Sequence, residues 1–144
     1  MLVTAESCTA GLLSGAITAI PGSSDVLERG WVVYSNESKV EILGVSRELI
    51  SIYGAVSEQV AHAMAEGALR KSTPYAHLAI AITGIAGPLT DGASKPVGLV
   101  HFSLAMDGQD THNQWQNFGS IGRQEVRFAS VEFSLRMILE RVAT

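Results

Sequence analysis

The sequence predicts an α/β domain, a three-layer α/β/α sandwich around a mixed, mostly parallel sheet of about five strands. Three observations carry this expectation. Short β-branched or apolar runs alternate with stretches whose apolar residues recur at helical spacing. The run His77 to Thr83 (HLAIAIT) is apolar almost without interruption, as in a strand covered on both faces. Further on, two strand-like runs are joined through Asp107-Gly108, a hairpin signal that brings an antiparallel pairing into the sheet.

Taken in order, Leu2 to Ala5 reads as a short opening strand, and with no helix or arm before it an upstream segment is expected to be missing. Cys8 to Ile20 places Leu12, Leu13, Ala16, Ile17 and Ile20 at helical spacing, with Ser7 or Thr9 as cap and Pro21-Gly22 as stop. Arg29 to Ser35 (RGWVVYS) has the content of a strand. Asn36 to Leu43 is a short helix ended by Gly44, and Ser46 to Tyr53 repeats the pattern. Ser57 opens a longer helix to about Lys71, with Val60, Ala61, Met64, Ala65 and Ala68 as its buried stripe and Pro74 closing it. After the His77 to Thr83 strand comes a long loop, Gly84 to Pro96. Gly98 to Met106 and Thr111 to Gly119 form the hairpin, and Gly122 to about Val142 is a helix with Val126, Ala129, Phe133, Met137 and Ile138 on one side.

The whole chain narrows the function. At 144 residues with 47% apolar content, residues 1–144 suit a single domain with its own core. A net charge of -4 gives no general attraction to a nucleic-acid backbone or an anionic membrane, so neither is expected as a direct partner. The lone Cys8 excludes an internal disulfide framework. No apolar run is long enough for a membrane span and no signal-peptide layout is present, so a cytoplasmic location is expected. His62, His77, His101 and His112 are scattered without ligand spacing, so no metal site is expected. The compact domain with many apolar helix faces makes a homo-oligomer the expected assembly.

The common nucleophile-elbow, S-x-x-K, C-x-x-C and P-loop patterns are absent. Three polar segments instead follow apolar strands, where α/β sheets place ligands. Thr4 to Gly11 (TAESCTAG) carries a strand into a helix through hydroxyls and a glycine; it suits a phosphate site and equally a capped, closely packed helix. Tyr34 to Lys39 (YSNESK) flanks a strand end, and a solvated helix start serves the pattern as well. Thr83 to Pro88 (TGIAGP) has two glycines whose amides suit an oxyanion, or simply a flexible turn.

Together, T-A-E-S-C-T-A-G, P-G-S-S, V-V-Y-S-N-E-S-K, G-A-V-S-E, T-G-I-A-G-P and K-P-V-G-L-V resemble, in that order and across nearly the whole chain, the CinA C-terminal-domain family. The resemblance implies a three-layer fold with a mixed sheet. It also implies deamidation of nicotinamide mononucleotide to nicotinate mononucleotide and ammonia, a step of pyridine nucleotide salvage that needs no cofactor. Carried over by position, Ser24 matches the family's nucleophile, with Ser23 beside it as the alternative. Lys39 matches the general base and Tyr34 an active-site tyrosine. Ser7, Thr9, Thr83, Gly84, Gly87 and Arg123 match the substrate pocket, with Ser7 and Thr83 assigned to the amide and Arg123 to the phosphate or carboxylate-like end. A serine mechanism requires a base within hydrogen-bond reach, and Lys39 acts only if burial or a neighbouring cation brings it well below about 10.4.

Two departures from the family pattern stand out. Ala10 replaces a glycine of S-C-T-G-G, and the glycine-rich G-P-G-G-G-T loop appears as Gly87-Pro88-Leu89-Thr90-Asp91-Gly92-Ala93-Ser94. The altered loop leaves room for an amidase of different substrate. A second alternative is a nucleotide- or protein-binding module without chemistry, linked to competence or DNA damage.

Overall fold

Five strands, β1 (Leu2–Glu6), β2 (Leu27–Val32), β3 (Leu78–Gly84), β4 (Leu99–Met106) and β5 (His112–Asn117), form one sheet in the order β2-β1-β3-β4-β5. The computed structural model describes residues 1–90, 92 and 94–143, so Asp91 and Ala93 of the altered loop lie outside the described residues. β1 pairs in parallel with β2 and β3, while β3 with β4 and β4 with β5 pair antiparallel. Only β4 therefore runs against the other four, and the mixed sheet expected from the Asp107-Gly108 hairpin is observed.

The five helices are α1 (Leu12–Thr18), α2 (Asn36–Leu43), α3 (Arg47–Tyr53), α4 (Glu58–Ser72) and α5 (Arg123–Val142). They cover the sheet from both sides because the strand side chains alternate between two cores. Val3, Ala5, Ala79, Ala81 and Ala105 pack with Leu43, Val60, Met64 and Ala68 of α2 and α4. Leu2, Ile80, Ile82, Phe102 and Leu104 pack with Leu13, Val126 and Met137 of α1 and α5. The alanines on the first face let α4 lie close to the sheet; the second face is filled by larger side chains, with Phe102 and Phe133 at 4.6 Å between centroids. Close approach extends to the α2–α4 contact, where a Cβ on Gly67 would stand 2.0 Å from the Leu43 carbonyl oxygen.

Most helix boundaries follow their sequence signals. Ser35, Ser46 and Ser57 accept hydrogen bonds from Ser38 N, Leu49 N and Val60 N, capping α2, α3 and α4. Glu58 in the first turn and Arg70 and Lys71 in the last complement the dipole of α4. Two boundaries differ from expectation. α1 begins at Leu12, not Cys8, because Ala10 and Gly11 take left-handed φ values of 47° and 97° and turn the chain before it becomes helical. β2 covers Leu27–Val32, not 29–35, because Val33 enters the core and Ser35 is already the α2 cap.

Candidate active site

Strand register gathers the polar segments at one edge of the sheet. Glu6 pairs with both Val32 and Ile82, and Val100 with Gly84, so the residues after β1, β2 and β3 emerge together. Ser7 N donates to Ile82 O at 3.0 Å and Val33 N to Glu6 O at 2.9 Å, extending the ladder to the edge itself. Because β5 ends there too, with Asn117 opposite Leu99, the first residue of α5, Arg123, reaches the same edge.

Between these segments lies a cavity of about 500 Å³, with Ser7, Cys8, Tyr34, Lys39, Thr83 and Arg123 in its wall. Glu6, 1% exposed beneath it, accepts from Leu13 N at 2.9 Å and from the Ser14 amide and hydroxyl at 3.1 and 3.0 Å. These bonds satisfy α1 amides that Gly11 cannot cap and anchor the turn carrying Ser7. Arg127 secures the other side of that turn, donating from Nε to Cys8 O at 3.0 Å and from a terminal nitrogen to Thr9 O at 3.5 Å.

Lys39 is the buried cation of the cavity wall. Its side chain is 1% exposed, and Nζ donates to Ser7 Oγ at 3.1 Å, Tyr34 O at 3.0 Å and Ser35 O at 3.4 Å. All three ammonium protons thus have acceptors, and none is a carboxylate. Burial pushes the Lys39 ammonium down to about 8, against which the nearby Cys8 sulfur pulls slightly upward. The neutral amine is therefore accessible near neutrality: with two N–H groups held by the carbonyls of Tyr34 and Ser35, its lone pair faces Ser7 Oγ. Cys8, next in sequence, is no competitor, since burial pushes its thiol up to about 11.

The other predicted residues divide into those at the cavity and those away from it. Tyr34 lies on the wall with its ring exposed; its main-chain carbonyl holds Lys39, and its phenol oxygen accepts from Arg123 at 3.1 Å. Arg123 also donates to Gly87 O at 2.7 Å and so bridges the cavity mouth. Thr83 lines the wall and donates to Ala55 O at 2.8 Å, while Gly84 and Gly87 contribute backbone. Thr9 is fully buried outside the wall, and its hydroxyl has no partner among the described residues.

Ser24 is not brought to Lys39 within the chain. It sits on a 3-10 turn, Ser23–Asp25, that leads into the start of β2, and Leu2 N donates to Val26 O at that end. The length of β1, roughly 13 Å at about 3.3 Å per residue, separates this end of the sheet from the cavity. The serine that meets Lys39 is Ser7, which the sequence reading had given to substrate binding. Pocket residues without a prior assignment are Cys8, Asn36, Ile50, Gly54, Ala55, Val56, Ile85, Ala86, Leu89 and Thr90. The G-A-V-S-E motif contained a signal for 54–56, since helix capping accounts for Ser57 and Glu58 but not for Gly54, Ala55 and Val56.

The fold and site define a three-layer α/β domain with a buried Ser–Lys pair in a cleft where the strands end. Residues 1–142 match the model of the CinA C-terminal domain, and the chain belongs to that family. It is 48% identical over 136 residues to a nicotinamide-nucleotide amidohydrolase, PncC, of Enterobacter agglomerans, covering 94% of this chain and 80% of that protein. A CinA-like protein of Chlorobium phaeobacteroides (strain BS1) is 46% identical over 142 residues, 95% of this chain but 33% of that protein, so the chain spans about a third of this longer relative. Among crystal structures, the competence/damage inducible protein CihA of Agrobacterium tumefaciens superposes with a TM-score of 0.92 at 46% identity, covering 97% of this chain and 84% of that one. A competence or damage-inducible protein of Enterobacter asburiae gives 0.91 at 37% identity, covering 97% and 86%.

Proposed function

We propose that the chain is an amidohydrolase that deamidates nicotinamide mononucleotide, with Ser7 as nucleophile and Lys39 as base. The observation that carries this is the 3.1 Å contact between Lys39 Nζ and Ser7 Oγ, made by a lysine whose burial favours its neutral form. The name of the Enterobacter agglomerans relative supports the substrate. So does the charge of the cleft: Lys39 and Arg123 line it and no Asp or Glu does among the described residues, which favours an anionic, phosphate-bearing ligand although the whole chain is acidic.

In this reading Lys39 takes the Ser7 proton as Oγ attacks the carboxamide carbon. The turn's own hydrogen bonds run from Ala10 N to Ser7 O and from Leu12 N to Thr9 O. The amides of Cys8 and Thr9 lie outside them and serve the developing oxyanion. Collapse breaks the C–N bond, and Lys39 returns its proton to the departing nitrogen, which leaves as ammonia. Water then attacks the acyl-serine, Lys39 takes its proton, and cleavage of the ester oxygen bond restores the Ser7 hydroxyl and releases nicotinate mononucleotide.

The test is ammonia release from nicotinamide mononucleotide and from free nicotinamide by the parent, Ser7→Ala, Lys39→Met and Ser24→Ala proteins, each confirmed folded. Turnover of the mononucleotide alone, lost in the first two variants and kept in the third, is expected. Loss in Ser24→Ala with retention in Ser7→Ala would return the nucleophile to Ser24. Binding without any ammonia release would leave a nucleotide-binding module.

A further inference from the structure

One wall of the cleft is built from main chain that lies between two helices and belongs to neither. Between the end of α3 at Tyr53 and the start of α4 at Glu58, Gly54, Ala55 and Val56 line the cavity, with the Val56 side chain buried. α3 offers a weak anchor, as Ile52 and Tyr53 are exposed. Locally, Gly54 N donates to Ile50 O at 2.8 Å and Ser57 Oγ to Gly54 O at 2.8 Å; the other donors to the carbonyl oxygens of this stretch come from segments remote in sequence. Thr83 Oγ1 donates to Ala55 O at 2.8 Å. Lys95 Nζ donates to Tyr53 O at 2.6 Å and, by a shorter contact, to Val56 O.

Lys95 belongs to the same long β3–β4 connection that supplies Leu89 and Thr90 to the cavity, so its ammonium joins two walls remote in sequence. No carboxylate among the described residues forms an ion pair with it. Its charge is directed at two carbonyls that bracket the wall, a geometry in which one side chain sets the spacing between segments. Gly54 fits the arrangement: its φ is +79°, and a Cβ there would lie 3.1 Å from Lys95 Nζ.

We propose that Lys95 is a positioning residue that holds the 54–56 wall at the spacing the substrate needs, while the Ser7–Lys39 pair does the chemistry. The kinetic consequence rests on the amidohydrolase reading; the clamp itself does not. If removing the ammonium leaves the closed wall populated about a tenth of the time, apparent substrate affinity falls about tenfold.

The experiment compares the parent with Lys95→Met and Lys95→Arg by hydrogen–deuterium exchange, by NMR titration of His101, and by kcat and KM for nicotinamide mononucleotide. In Lys95→Met, exchange in 53–57 is expected to accelerate while β1 stays protected. The His101 pKa, held down first by burial and then by the Lys95 charge, is expected to rise. KM is expected to rise about tenfold, with kcat changed by less than about threefold. Lys95→Arg, which keeps the charge and donors, should recover most of each change. Unchanged exchange in 53–57, or a fall in kcat at unchanged KM, would overturn the proposal. Should Lys95→Met not fold, Lys95→Gln replaces it with the same expectations. Faster exchange and a shifted His101 in a protein whose parent releases no ammonia would leave the clamp standing and remove the amidohydrolase reading.

Discussion

Ser7 and Ser24 both lie just outside strands of the same parallel pair, yet they occupy opposite ends of that pair. At the Ser7 end, β1, β2 and β3 release their chains together, and main-chain carbonyls and a hydroxyl surround a buried ammonium. At the Ser24 end, β2 starts beside Leu2, and the neighbouring hollows are lined mainly by apolar groups such as Ile17, Ile20, Val26, Leu78, Met106 and Ile138. A serine becomes a nucleophile through a base within reach, and of the two it is Ser7 whose hydroxyl is hydrogen-bonded to a buried lysine amine. Motif spelling cannot distinguish the ends, because strand direction is a property of the pairing.

The strongest way to break this contrast is the pair of serine variants. Ser7→Ala is expected to lower kcat/KM for nicotinamide mononucleotide by about a thousandfold or more, and Ser24→Ala by less than about twofold. Comparable losses in steady-state assays of both would dissolve the distinction.

The pH dependence sharpens it. A base that titrates at about 8 must be neutral to act, so kcat/KM should climb up to about tenfold per pH unit below that value and level above it. The stability consequence has its own sign. The Lys39 pKa is lower in the folded protein than its ordinary 10.5, so the unfolded chain binds the proton more readily. Stability therefore carries the full penalty of burying the ammonium below about pH 8 and recovers as pH rises from there towards 10.5. The shift corresponds to about 3 kcal/mol at most. Urea melts across that range in the parent and in Lys39→Met should differ accordingly, with the parent gaining on the variant as pH rises, while the raised Cys8 thiol gives both an opposing slope above its ordinary 9.0.

Smaller effects test the scaffold beneath each end. Gly67→Ala places a methyl against the Leu43 carbonyl and is expected to cost about 1–3 kcal/mol in a urea melt by prising α4 from α2. Ala10→Gly relieves a left-handed alanine in the turn after Ser7 and is expected to stabilise by about 1 kcal/mol, read as a raised Tm. A destabilised Ala10→Gly would mean that the methyl group contributes more than its backbone conformation costs.

Much of the fold was legible in the sequence because it is written in local signals. The unbroken apolar run of β3 announced a central strand, Asp107-Gly108 announced the hairpin, Gly44 marked the end of α2, and Ser57 and Pro74 bounded α4. Where boundaries moved, the backbone at one or two residues decided: Ala10 delayed α1, and Ser35, taken as the end of a strand, is a helix cap. In the site, Lys39, Tyr34, Ser7, Thr83, Gly84, Gly87 and Arg123 were marked for attention and all reach one cleft. Their division of labour was not legible. Tyr34 holds Lys39 through its carbonyl oxygen, a group every residue has, and Thr9 is buried outside the cleft wall.

By itself the sequence determined the alternation of elements, the mixed sheet and the residues able to do acid–base or nucleophilic work, because periodicity, turn chemistry and residue type are properties of short stretches. Only the tertiary structure decided which serine meets the lysine, how far burial lowers that lysine's pKa, and that Lys95 ties one cleft wall to another. Each of these depends on distances between segments far apart in the chain, and those distances exist only once the strands have paired in register and the helices have closed over them.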